Sequence, residues 1–211
     1  MVSEPMTRAI LSALRTALAE TRSDAAAATT SVHLDPHPPT AVPAAVLVPL
    51  FDVDGDLHLL YTTRSAALPT HAGQVAFPGG RHAPERDPSL LATALREAEE
   101  EVGLRAADID VLGALDPIHT FSSSFRITPF VACIPHPYAL RLDPHEVHDA
   151  FALPLRVLDD PATSVTETWT IDGRAVAVTS YRHQGRVIWG ATQRITASLL
   201  DLVTALRAHQ D

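Results

Sequence analysis

The sequence predicts an α/β fold, a mixed β-sheet with helices packed on it. Three observations lead there. An apolar run from Ala44 to Phe51 is followed by Asp54-Gly55 and a second strand-like run from Leu57 to Arg64, the pattern of a β-hairpin. A helix with both ends marked spans Asp87 to Gly103. A second hairpin about Asp172-Gly173 and a last amphipathic helix complete an alternation of strands and helices.

Taken in order, Thr7 to Glu20 reads as a helix, because Ile10, Leu11, Leu14 and Leu18 recur at helical spacing. It reads as a packing or dimerisation arm, the latter giving a homodimer. Ser23 to Pro43 is rich in Ala, Thr and Pro and reads as an extended connector. Residues 1–43 are therefore set apart from a main body of 44–211. In that body, Ser65 to Ala72 reads as a loop and Gly73 to Phe77 as a short strand. Pro78-Gly79-Gly80 breaks the chain, and paired glycines mark either a turn or a close approach of backbone to a ligand. Arg81 to Arg86 is a polar loop leading into the capped helix. Beyond that helix, Ile109 to Leu115 is strand-like and His119 to Ser124 a polar loop. Phe125 to Ile134 is strand-like with Pro129 inside it, which predicts an edge strand or a bulge. Pro135 to Asp143 is irregular, and Glu146 to Leu153 approximates an alternating strand ending at Pro154. Ser164 to Ile171 and Arg174 to Tyr181 flank Asp172-Gly173, and Arg186 to Trp189 is a short strand. Ile195, Leu199, Leu202, Val203 and Leu206 make Ala191 to His209 an amphipathic helix.

The helix at 87–103 carries the chemistry. Asp87 suits its N-cap, Pro88 its first position and Gly103 the C′ position. At about 100° per residue, Leu91, Leu95, Ala98 and Val102 share one narrow wedge, the expected buried stripe. Glu97, Glu100 and Glu101 fall together roughly opposite. Carboxylates at i, i+3 and i+4 repel one another. A hard divalent cation such as Mg²⁺ reverses that sign. Alone, such a helix reads as a solvated acidic face.

The formal charge of −9 argues against general nucleic-acid or anionic-membrane binding, which need a basic surface. It leaves room for a phosphate-rich substrate, because a bound cation supplies local positive charge. Cys133 stands alone, so an internal disulfide is excluded and a reducing compartment is expected. No apolar run reaches the length of a membrane span, and the N-terminus lacks a hydrophobic signal core, so a cytoplasmic location is expected. No His-Glu-x-x-His, Gly-x-Ser-x-Gly or nucleotide P-loop occurs.

Gly80 and Arg96-Glu97-Ala98-Glu99-Glu100-Glu101-Val102-Gly103-Leu104 resemble the box of the Nudix hydrolases. That box runs Gly, five residues, Glu, seven residues, then Arg-Glu-apolar-x-Glu-Glu-x-Gly-apolar. The second half matches at every defined position. In the first half, Gly80 and Arg96 are separated by two more residues than the box has, and Pro88 stands in the slot of its first Glu. Upstream, Leu59-Leu60, Thr63-Arg64-Ser65, Gly73 and Phe77-Pro78-Gly79-Gly80 are similar to the motif of coenzyme A pyrophosphatases within that family, with Pro69 where a second Arg is usual. Trp189-Gly190-Ala191-Thr192 resembles the closing segment of the same subfamily.

The resemblance implies a Nudix-type α/β/α sandwich with a mixed β-sheet over residues 44–211. It implies a Mg²⁺- or Mn²⁺-dependent pyrophosphohydrolase whose small-molecule substrate is coenzyme A or a thioester of it. The products would be adenosine 3′,5′-bisphosphate and 4′-phosphopantetheine or its acyl form. Other nucleoside diphosphate derivatives (ADP-ribose, NADH, a dinucleoside polyphosphate) stay open as substrates, and so does a non-catalytic binding protein. The expected metal ligands are Glu97, Glu100 and Glu101, with the Gly80 carbonyl. Arg96 would orient Glu100 from four residues before it. The general base is Glu97 or Glu146. Arg64 is the expected phosphate-binding side chain, with His71 and Gln74 lining the same pocket.

Overall fold

The computed structural model describes residues 4–27, 41–120, 124–171 and 173–209. The predicted connector from Ser23 falls largely outside them, as do parts of the 119–124 loop and Asp172. The elements in chain order are α1 (Glu4–Ala27), β1 (Val42–Val53), β2 (Asp56–Arg64), β3 (Val75–Ala76), β4 (Gly79–Arg81), α2 (Leu90–Val102), β5 (Asp110–Ala114), β6 (Ile118–His119), β7 (Phe125–Cys133), β8 (Val147–Pro154), α3 (Leu155–Leu158), β9 (Ser164–Ile171), β10 (Arg174–His183), β11 (Arg186–Trp189) and α4 (Gly190–Ala208).

Eight strands form one mixed sheet: β1 pairs in parallel with β7, and the other pairings are antiparallel. β1 is buried on both faces, as its unbroken apolar run requires. Leu47 faces a core made with Ala94, Ala98 and Val102 of α2. Val48 and Leu50 face the opposite core, made with Leu199 and Val203 of α4 and Ile10, Leu14 and Leu18 of α1. Helices on both sides of a mixed sheet give the α/β/α sandwich. β9, β10 and β11 form a second, antiparallel sheet.

α1 is longer than its periodicity predicts and belongs to the core: Leu14 is 0% exposed. A Cβ on Gly113 of β5 would lie 2.5 Å from the Leu18 Cβ, so glycine there admits the close approach of α1. Thr7 Oγ1 donates to the Gly55 carbonyl (2.8 Å), fixing α1 to the β1–β2 turn.

Two local expectations are corrected. β7 is an interior strand, not an edge: β1 lies on one side, β5 and β6 on the other, and the register shift in its pairing with β5 falls between Val111 and Gly113 rather than at Pro129. Pro129 is tolerated because its missing N–H falls where the partner changes from β5 to β6. And α2 begins at Leu90, capped by Ser89, whose Oγ accepts from Ala92 N–H (3.1 Å). Asp87 is therefore not the cap, and Pro88 lies outside the helix.

The feature that positions the site is a split in the sheet. β1 and β2 pair only at Leu50–Val53 against Asp56–Leu59 and then diverge. The segment 75–81 fills the wedge: β3 pairs with β2, β4 pairs with β1, and the Pro78 carbonyl accepts from Leu47 N–H (2.8 Å). This lays Gly79 and Gly80 under α2. Of the two readings of the paired glycines, a turn or a close backbone approach, the turn is replaced by a short strand.

Candidate active site

α2 presents its carboxylates differently from the simple wedge picture. Its buried residues are Thr93, Ala94, Ala98, Glu101 and Val102, while Leu91 and Leu95 are only half-buried. The buried face is thus rotated toward Glu101, which turns inward over Gly79, and Glu100 stays exposed. The helix ends in a left-handed Gly103 (φ 74°), with Gly103 N–H bonded to the Glu99 carbonyl and Leu104 N–H to that of Ala98.

Arg96 is the hub of the outer side. Its Nε donates to Asp87 Oδ1 (2.8 Å), Nη2 to Asp87 Oδ2 (3.0 Å) and Glu97 Oε1 (2.9 Å), and Nη1 to Glu100 Oε2 (2.7 Å). The other oxygen of Glu100 accepts from Arg86 Nη2 (2.8 Å). Glu100 therefore has both oxygens on guanidinium groups.

The carboxylates that converge are Glu97, Glu101 and Glu146, with one oxygen of each within 4.8 Å of the others. Glu146 comes from the turn before β8, and the backbone explains why it reaches α2. Arg141 N–H bonds to the Val102 carbonyl (2.9 Å) and Asp143 N–H to that of Glu101 (3.0 Å), stitching the 135–146 segment onto the end of the helix. Glu146 N–H then bonds to the Asp143 carbonyl (3.1 Å), and the Glu146 carbonyl accepts from Ser65 N–H (2.8 Å).

Glu101 is 4% exposed, and its carboxyl is pushed up to about 8. Burial is the main cause and the nearby charge of Glu97 the next; Gly79 N–H, which donates to Oε2 (3.3 Å), and Arg64 oppose it. Glu97 is also raised, chiefly by burial, against the pull of Arg96. Gly80 lies directly beneath Glu97: a Cβ there would sit 2.4 Å from Glu97 Oε1. Only glycine leaves the carboxylate in place.

Arg64 ends β2 beside this cluster, and its charge favours the ionised form of Glu101. Its Nε is buried without a hydrogen-bond partner among the described residues. The 65–74 loop closes back on Arg64, whose N–H bonds to the Gln74 carbonyl (2.9 Å) and whose carbonyl accepts from Gly73 N–H (3.1 Å). On that loop His71 Nδ1 and Gln74 Oε1 lie 3.0 Å apart, both side chains reaching the surface. Pro69 is exposed there.

The donor set tests what the site could hold. Three carboxylates, no thiolate and no imidazole suit a hard, oxygen-seeking cation such as Mg²⁺ or Mn²⁺. Such an ion would offset both the mutual repulsion and the burial that raise the Glu101 carboxyl.

Two participants are missing from the sequence reading. Asp87 is a buried partner of Arg96, a role that no local pattern marks. Arg186 of β11 forks onto Asp149 (Nη1–Oδ1 3.1 Å, Nη2–Oδ2 2.6 Å), donates to Thr63 Oγ1 (2.9 Å) and lies 4.2 Å above the Phe151 ring. It ties the second sheet to β2 and β8 through contacts more than thirty residues apart.

The comparisons agree with this geometry. The NUDIX domain family matches residues 41–171. The uncharacterized Nudix hydrolase NudL of Photorhabdus laumondii is 41% identical over 164 residues, covering 76% of this chain and 84% of that protein. NudL of Yersinia pestis, likewise uncharacterized, is 38% identical over 167 residues, covering 76% and 79%. Among solved structures, a MutT/nudix family protein from Enterococcus faecalis superposes with a TM-score of 0.53 at 17% identity, over 80% of this chain and 64% of that one, a likeness of fold. With the box helix, the paired glycines of β4 beneath it and three converging carboxylates in place, the chain belongs to the Nudix hydrolase family.

Proposed function

We propose that this protein is a divalent-cation-dependent hydrolase that splits the diphosphate of a nucleoside diphosphate derivative, with coenzyme A and its thioesters as the preferred substrates. The convergence of Glu97, Glu101 and Glu146 beside Arg64 carries the reading. Substrate choice rests on the loop motif, from Thr63-Arg64-Ser65 through Gly73 to Phe77-Pro78-Gly79-Gly80.

Glu97 and Glu101 would hold Mg²⁺ or Mn²⁺, with Glu146 closing the third side and the Gly80 carbonyl beneath. When bound, the ion neutralises diphosphate charge and lowers the energy of the negative charge that builds in the transition state. Glu100, ion-paired to Arg86 and Arg96, supports the cluster from outside in this arrangement. Arg64 donates to the diphosphate through its guanidinium group, and His71 and Gln74 border the substrate at the loop. Glu146 takes the proton of the attacking water. Among the three carboxylates it is the solvent-facing one, so it can hand the proton on, whereas Glu97 is held by Arg96 and Glu101 is buried. Water oxygen bonds to one phosphorus, the bridging P–O bond breaks, and the departing phosphate leaves as an anion that needs no proton.

Pro69 favours a second reading within the same chemistry. It removes one cation from the loop, which suits a substrate with fewer phosphates than coenzyme A, such as ADP-ribose. Purified protein with Mg²⁺ or Mn²⁺, offered coenzyme A, acetyl-coenzyme A, ADP-ribose, NADH and a dinucleoside polyphosphate, separates the two when products are identified by mass spectrometry. Adenosine 3′,5′-bisphosphate with 4′-phosphopantetheine is the expected result. Intact coenzyme A with a cleaved ADP-ribose moves the substrate, and no cleavage of any compound overturns the hydrolase reading.

A further inference from the structure

The loop from Gly80 to α2 is two residues longer than the family box, and Pro88 stands in the slot of its first acid. Asp87, one residue earlier, lies outside the helix with its side chain 2% exposed. Its carboxylate accepts both edge donors of Arg96 as described above, Thr93 Oγ1 at 2.9 Å and Ala83 N–H at 3.4 Å. Thr93 is fully buried on α2 and is itself engaged by His82 Nδ1 (2.8 Å), a residue of the same loop. The long loop is thus folded back onto the helix around one carboxylate.

We propose that Asp87 is a positioning residue for the cation site: it clamps the Nε–Nη2 edge of Arg96, and Arg96 in turn holds Glu97 on the cluster and Glu100 off it. The hydrogen-bond count of a guanidinium makes the argument. Nε has one hydrogen, and Asp87 takes it. Nη2 has two; one goes to Asp87 and the other to Glu97. Nη1 is left for Glu100. With its planar edge occupied, Arg96 can give Glu97 only a single, sideways bond, to Oε1. Oε2 of Glu97 is left for a cation. Without the Asp87 charge, that edge becomes the best bidentate donor in reach of Glu97 and Glu100. A fork on Glu97 would draw the carboxylate off Gly80 and away from Glu101 and Glu146. Residues next to metal ligands commonly act this way, by orienting them. The two inserted residues give the loop the reach to bring Asp87 under Arg96.

This inference deepens the cation-dependent reading and rests on it, so its test separates the two. Mn²⁺ binding to the full-length, metal-stripped protein is measured by the EPR signal of free Mn²⁺, beside kcat and KM on the cleaved substrate and Tm in EDTA. Asp87→Asn keeps shape and the Thr93 contact but removes the charge. We expect its Mn²⁺ Kd to rise about tenfold or more, with kcat falling and substrate KM within about threefold of wild type, since uniform substrate binding is untouched. A folded Asp87→Asn protein with wild-type Mn²⁺ affinity and kcat overturns the role, even if its Tm drops. If that variant does not fold, Thr93→Val, which frees one side of Asp87 without changing charge, must weaken Mn²⁺ binding in the same direction; unchanged binding overturns the role too. Wild-type protein that binds no Mn²⁺ overturns the cation site itself.

Discussion

Glu101 should make the metal-free protein lose stability as pH rises, and replacing it should remove that loss. In the folded chain its carboxyl titrates near 8 against 4.5 for an unperturbed glutamate, because it is buried beside Glu97. Between those values the native state holds a proton that the unfolded chain has released. Stability therefore falls as pH rises from about 4.5 toward 8 and levels off above. The difference of about 3.5 units is on the order of 5 kcal/mol at ~1.4 kcal/mol per unit. For a chain of this size that is a drop in Tm of roughly 10–20 °C across the window. Glu101→Gln keeps an oxygen for Gly79 N–H and carries no charge at any pH. In EDTA it should be more thermostable than wild type at pH 8, equal to it near pH 5, and should keep between them only the dependence that the raised Glu97 carboxyl contributes. Adding Mn²⁺ at pH 8 should restore wild type, since the ion replaces the proton, and leave the variant unmoved. Thermal melts at pH 5, 6, 7 and 8, each with EDTA and with Mn²⁺, read both effects. A variant whose melting curve keeps the wild-type pH slope would refute the assignment of the buried charge to Glu101. One that still gains stability from Mn²⁺ would refute its role as a ligand.

Gly80→Ala should cost roughly 100-fold in kcat, because the new methyl displaces Glu97 and misplacements on the scale of 1 Å have that effect; circular dichroism should show the fold retained, and near-wild-type turnover would contradict the packing of Glu97 on Gly80. Arg64→Gln should raise substrate KM about ten- to a hundredfold, the worth of one or two charged hydrogen bonds, with Mn²⁺ affinity little changed; unaltered KM would remove Arg64 from the substrate. Leu14→Ala should destabilise by about 2–5 kcal/mol in urea unfolding, as for a fully buried leucine, whereas an effect under about 0.5 kcal/mol, typical of a surface change, would show that α1 is not part of the core.

Much of the fold was legible because its signals are local. The apolar run of β1 and the Asp54-Gly55 turn predict a hairpin whatever surrounds them, and the structure pairs Asp52 with Leu57 across that turn. Gly103 closes α2 as its sequence position suggests. The N-terminal end of α2 is ambiguous in the sequence because Asp87, Pro88 and Ser89 are all acceptable start residues. The choice went to Ser89 once Asp87 had a stronger partner in Arg96, nine residues away. Pro129 predicts an edge or a bulge for a similar reason: whether a missing N–H matters depends on what lies beside it, and that is set by β5 and β6.

The sequence by itself determined the family, the acidic helix and the paired glycines before it, because each is a short run whose residue types have few other uses together. Tertiary structure decided which carboxylates meet. Glu97, Glu100 and Glu101 are equivalent by helical periodicity. Packing breaks that equivalence, turning Glu101 inward over Gly79 and leaving Glu100 to Arg86 and Arg96. Glu146 joins them from forty-five residues beyond Glu101, brought there by the backbone bonds that fasten the 135–146 segment to the end of α2. A carboxylate's role here depends on its distance to other charges and on its access to water, and neither is fixed until the sheet splits and the chain packs around it.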